Sequence, residues 1–230
     1  MNWYAVIGVV SSFTFLLPVA IIVMLRLYKC SSLTVLMVYY LLECIYNLMV
    51  QHIIPSSLAV RHISGILINY MDAPMMLVVL MFFCNNEWKK KFVRVTLVAF
   101  LLGETVIAGI MGLTLKSVTL VLGLDITVIL IYSFVLFLEL VKQSIRRHRK
   151  VGRTLMVMAI FFSYGSYGLI YFFYYVQKTN AVNDVFLLFF VSSAVSTILM
   201  SFGLFFVSKR LKHLNDLKVT RKELHAFFNS

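Results

Sequence analysis

Four carboxylates stand where an apolar sequence has little use for them: Glu43, Asp72, Glu104 and Asp125, each embedded in runs of Leu, Val, Ile and Met. The whole chain of 230 residues has only nine Asp and Glu. An ionised carboxylate surrounded by hydrocarbon is costly, and no Lys or Arg inside the apolar runs reaches the same level to pair with these four. They are expected to hold or share their protons. A carboxyl group in that state donates a hydrogen bond, passes a proton on or meets a cation, so the four are candidates for a proton or cation site. The competing expectation is that each acid is a hydrogen-bonding staple between helices.

Other polar groups fall at a comparable level. Tyr164, Tyr167 and Tyr171 are spaced i, i+3, i+7, which puts three phenols on one helical face. Ser192, Ser193 and Ser196 form a small hydroxyl cluster, suited either to close helix approach or to hydrogen bonding with a neighbour. Tyr174 and Tyr175 read as an aromatic belt at the membrane interface. Pro18 and Pro74 each free a backbone carbonyl one turn earlier, and Pro74 lies two residues after Asp72, so the freed carbonyl is a candidate site for water or a ligand.

The elements that must carry these groups follow from composition. The chain is 61% hydrophobic and 13% charged, with a mean hydropathy of +0.93, whereas soluble domains run about 45–50% apolar and about 25% charged. That excludes an ordinary soluble protein. Apolar segments run at about 3–26, 33–54, 66–84, 92–114, 117–141, 154–177 and 186–208, each near the roughly 17–25 residues that cross a bilayer as a helix. The alternation required of a β-barrel is missing. The predicted fold is all-α, a polytopic seven-transmembrane-helix bundle over 1–208 followed by a basic tail, 209–230. Counted from the outer end of each segment, the four acids lie roughly 6 to 11 residues in, a slab about 9–16 Å deep.

Orientation follows from the basic residues. Eighteen of the 21 Lys and Arg fall on one side, and only Arg61, Lys116 and Lys178 fall on the other. The positive-inside rule then puts the N-terminus outside and the C-terminus inside. The net charge of +12 belongs to short juxtamembrane segments and the tail, where anionic lipid headgroups account for it, so nucleic acid is not an expected partner. The first segment lacks a basic leader and a small-residue cleavage site and is read as a retained helix. Leu211, Leu214, Leu217 and Leu224 among the basic residues of the tail suit a short amphipathic helix on the inner leaflet.

Several chemistries lack their residues. Cys30, Cys44 and Cys84 show no CxxC spacing, and His52, His62, His148, His213 and His225 lie at segment ends, in loops or in the tail, so neither a disulfide framework nor a metal site is expected. No GxSxG, Walker A or HExxH motif occurs, and no enzymatic activity is expected. A transporter built from two three-helix repeats would repeat its prolines, but the last three segments have none. The compact loops and the lack of sorting motifs point to a multi-pass protein of a bacterial cytoplasmic membrane.

The order of features resembles the microbial rhodopsin family. Asn69-Tyr70-Met71-Asp72 is similar to that family's Arg-Tyr-x-Asp, which would place Asp72 as the primary proton acceptor or counter-ion. Tyr164-x-x-Tyr167-Gly168-x-x-Tyr171 is similar to the aromatic wall of its pocket, and Val191-Ser192-Ser193-Ala194-Val195 to its Asp-x-Ser-Ala-Lys. The chain departs from the pattern at Val195, where the retinal lysine is expected, and at Val191 and Asn69. No lysine is placed to form a Schiff base, so no retinal cofactor is expected. The resemblance implies a non-enzymatic seven-helix protein that binds a small apolar or amphipathic ligand non-covalently, with Asp72, Asn69, Tyr70, Tyr164, Tyr167, Tyr171, Ser192 and Ser196 around it. Its output would be sensory or receptor-like, through a cytoplasmic or membrane protein meeting Lys142–Arg153 and the tail. The alternative is a proton- or cation-coupled transporter that uses Glu43, Asp72, Glu104 and Asp125.

Overall fold

The computed structural model describes residues 3–84, 86–147, 150–177 and 182–228, with side chains as far as Leu211. Every regular element among them is a helix. Seven helices are long and apolar enough to cross a membrane, as the hydropathy pattern predicts. Helix α1 runs over Trp3–Thr14 and Leu16–Met24. It breaks at Phe15 because Pro18 has no N–H to return to the Thr14 carbonyl. It stops at Arg26, whose positive φ of 53° turns the chain out of the helix. Then follow α2 (Ser31–Val50), α3 (Leu58–Met81), α4 (Glu87–Met111) and α5 (Leu115–Arg147). Helix α6 (Val151–Tyr171) ends in a wider turn over Phe172–Val176, and α7 covers Val182–Phe228.

Caps set boundaries that hydropathy misses. Ser57 Oγ accepts from the Val60 N–H at 3.3 Å and Asn86 Oδ1 from the Trp88 N–H at 3.1 Å, so α3 and α4 each start in polar sequence well ahead of their apolar stretches. Thr114 and Ser117 exchange side-chain and backbone bonds at 3.0 and 3.3 Å to open α5. The backbone of α7 runs without interruption into the tail. The tail side chains from Lys212 on, those of Arg146 and Arg147, and all of His148 and Arg149 lie outside the described residues, and with them the amphipathic-tail expectation.

The helices are not equivalent. Contacts connect α1, α2, α3, α5, α6 and α7 into a closed ring, while α4 lies outside it against α3 and α5. Only 11% of the α4 span is buried, against 50% for α3. The tightest seam joins α6 to α7. A Cβ added at Gly203 would fall 2.5 Å from Met156 Cγ and 2.9 Å from the Gly152 carbonyl oxygen, and one at Gly152 would fall 2.8 Å from the Gly203 carbonyl oxygen. The two backbones touch there, and only glycine fits. At the end of the bundle that carries the basic residues, Lys89 pairs with Glu139. Gln143 donates to Glu139 at 3.1 Å and accepts from Lys150, and the Arg153 guanidinium stacks over Phe82 at 4.8 Å. These contacts tie α3, α4, α5 and α6 together at that end.

Candidate functional site

Helix geometry sets the depth of each acid. From the ends opposite the basic residues, Glu43 lies seven residues before Val50, Glu104 seven before Met111, Asp125 ten after Leu115 and Asp72 fourteen after Leu58. At 1.5 Å per residue these depths run from about 10 to about 21 Å. The layer is thus thicker and closer to the midplane than the sequence indicates. Asp72 accounts for the correction, since the cap at Ser57 starts α3 eight residues ahead of the apolar segment from which its depth is counted.

Two carboxyls form the centre. Asp72 is 8% exposed and accepts a hydrogen bond from Tyr164 Oη at 2.7 Å across the bundle. Asp125 is fully buried, and its carboxyl lies beside that of Asp72 and the Ala73 backbone. No N–H or O–H donor among the described residues reaches either Asp125 oxygen at hydrogen-bond geometry, which leaves the Asp72 carboxyl as the group with which they can share a proton; Glu104 Oε1 on α4 is likewise buried without a partner. No Lys or Arg takes part in this group among the described residues. Two ionised carboxylates side by side would repel one another and lose hydration, so the arrangement favours a single charge at most. It provides a place for a shared proton.

A second group faces the first from α2, α6 and α7. Asn47 Nδ2 donates to the Glu43 carbonyl at 2.9 Å and to Glu43 Oε2 at 3.4 Å. Tyr167 stands near Glu43 and meets Ser193 Oγ at 3.4 Å. Between the two groups lies a small cavity of about 10 Å³, bordered by Tyr39, Tyr40, Ser163, Tyr164, Tyr167 and Ser193 with Phe15, Met76 and Ile160. The space is the size of one water.

Of the residues singled out from the sequence, Asp72, Asp125, Tyr164, Tyr167 and Ser196 meet at this level, and Glu43 and Glu104 flank it. Ser196 spends its hydroxyl on the Ala159 carbonyl of α6, at 2.9 Å. The others point elsewhere. Asn69 donates to the Gly65 carbonyl at 2.7 Å and Ser192 to the Phe189 carbonyl at 3.1 Å, each within its own helix. Tyr171 packs its hydroxyl against Gly123, 2.8 Å from where a Cβ would stand. Tyr70 keeps a buried hydroxyl without a partner and does not border the cavity. Sequence reasoning missed Tyr39, Tyr40, Ser163 and Thr197. The signal was available on α2, where Tyr39, Glu43 and Asn47 recur at i, i+4, i+8.

Comparisons with family models, with curated proteins and with solved structures return no match. The likeness to the rhodopsin pattern therefore rests on the residues of α3, α6 and α7 alone.

Proposed function

We propose that this chain is a non-enzymatic, multi-pass membrane protein that moves or couples to protons, with Asp72 and Asp125 as a shared-proton pair. Glu104 and Glu43 flank the pair as further proton stations. The observation that carries this reading is two buried carboxyls side by side, one held by Tyr164 at 2.7 Å and the other reached by no N–H or O–H donor, so that only a proton shared with its neighbour can satisfy it. Structure alone does not need such a pair, because apolar residues would fill the same volume at lower cost. A cavity of about 10 Å³ suits protons and water rather than an organic solute. The positive-inside bias supports an N-terminus outside and a basic end inside a cell membrane, and in that orientation the basic connection Lys142–Arg153 and the tail would meet anionic lipid or a protein partner.

The test is proton movement in liposomes that hold the full chain and a trapped pH-sensitive dye, driven by an imposed potassium diffusion potential. Wild-type protein is expected to move protons and Asp72→Asn to move none. Equal rates in wild type, Asp72→Asn and empty liposomes would end this reading.

A second reading, a receptor-like protein with a non-covalently bound apolar or amphipathic ligand, is favoured by the cavity wall. Phe15, Met76, Ile160 and Tyr40 offer such a ligand an apolar surface beside the hydroxyls. Any ligand larger than water requires α6 or α7 to move. Mass spectrometry of a solvent extract checks it: a stoichiometric small molecule present in wild type and absent from Asp72→Asn, Tyr167→Phe supports the ligand, and bulk lipid alone in both removes it.

A further inference from the structure

The cavity that borders Tyr164 and Tyr39, the two phenols next to Asp72, is lined by hydroxyls from α2, α6 and α7. Tyr164 gives its proton to Asp72 at 2.7 Å, Ser196 to the Ala159 carbonyl at 2.9 Å and Thr197 to the Ser193 carbonyl at 2.7 Å. Tyr167 Oη and Ser193 Oγ stand 3.4 Å apart, and that contact uses one of their two protons. Ser163 and Tyr39 add two more hydroxyls on the same boundary, the first bonded to Tyr167 and the second to Asp72, and each keeps lone pairs that can accept from a further donor. The space these groups share measures about 10 Å³, which is the lower limit for one water, and a water there requires two to four polar partners. Both conditions are met at one point.

We propose that this cavity is a binding site for a single ordered water, held by the hydroxyls of Tyr167, Ser193, Ser163 and Tyr39. The water accepts a hydrogen bond from the hydroxyl whose proton the Tyr167–Ser193 contact leaves free and donates toward the hydroxyl oxygens opposite. It joins Glu43, beside Tyr167, to Asp72, beside Tyr39, in one hydrogen-bonded route through the ring. A proton taken up on one side is matched by one released on the other; each hydroxyl and the water end neutral with their hydrogen bonds reversed, and must turn back before the next proton passes. The site stands on volume and hydrogen-bond accounting, and only its role as a link rests on the proton reading above.

A crystal structure of the full chain at a resolution that shows ordered water tests the site. The expected result is one peak within about 2.7–3.2 Å of both Tyr167 Oη and Ser193 Oγ. That peak is expected to vanish in Ser193→Val, which removes the hydroxyl and adds two methyls that fill the space, and to persist in Ser192→Val, since the wild-type Ser192 hydroxyl bonds within its own helix. No peak in wild type overturns the proposal, as does a peak unchanged in Ser193→Val. If Ser193→Val does not assemble, Tyr167→Phe removes one partner and keeps the ring, and an unshifted peak there is equally fatal. The role is read in liposomes, where Ser193→Val is expected to slow proton movement at least severalfold and Ser192→Val to leave it unchanged. A wild-type peak without proton movement would sink the proton reading and spare the water site. Proton movement without a peak would do the reverse.

Discussion

Two sides of the same ring treat polar groups in opposite ways. Along α6 and α7 one set of hydroxyls is consumed by architecture: Ser196 on the Ala159 carbonyl, Thr197 on the Ser193 carbonyl and Ser201 on the Thr197 carbonyl. The backbones there meet at Gly152 and Gly203. Across the ring, where α3, α5 and α4 come together, Asp125 and Glu104 keep buried oxygens with no partner, on a helix set that includes the loosely attached α4. Polar groups that are satisfied build a seam; polar groups left unsatisfied in hydrocarbon need another reason to be there. The contrast separates what holds this bundle together from what it does.

The largest expected effect breaks the seam. Gly203→Val forces a side chain onto Met156 and the Gly152 backbone, which cannot withdraw as a flexible side chain would, and is expected to cost about 3 kcal/mol or more. Loss of the monodisperse folded peak in detergent checks it, and a well-folded Gly203→Val would show that the seam is softer than described. Next in size, Tyr164→Phe removes the 2.7 Å hydrogen bond that Asp72 receives from α6, with an expected loss of about 1–3 kcal/mol in thermal unfolding.

At Asp125→Val stability and function are expected to part. Replacing a buried acid that no N–H or O–H donor reaches by a small apolar side chain is expected to leave the melting temperature unchanged or higher while proton movement is lost. A marked fall in stability would make Asp125 a structural staple after all. The smallest effect is at the basic end. Lys89→Ala removes a half-exposed pair with Glu139 and is expected to cost less than about 1 kcal/mol, since exposed ion pairs contribute little.

Much of this was legible in the sequence. Seven helices follow from apolar runs of the right length, and the four acids stand out because hydrocarbon tolerates few of them. The depth of Asp72 was obscured because helix starts are set by caps such as Ser57, and Arg61 and His62 in the first turns of α3 lower its local hydropathy. The exclusion of α4 from the ring was invisible, since its sequence is as apolar as its neighbours and only packing distinguishes it. Asn69 and Ser192 looked like pocket residues by type, but a side chain that bonds to a carbonyl of its own helix gives no sign of that in spacing alone. Tyr39 and Tyr40 were hidden among apolar aromatics, although the step from Tyr39 to Glu43 to Asn47 marks one face of α2.

The acids of α3, α4 and α5 are proposed to handle protons, and the decisive measurement is the rate of proton movement in liposomes containing Asp125→Asn, a variant of nearly the same shape that cannot share or release the carboxyl proton. With a melting temperature matching wild type, the expected rate is that of empty liposomes. A wild-type rate from folded Asp125→Asn would contradict the account.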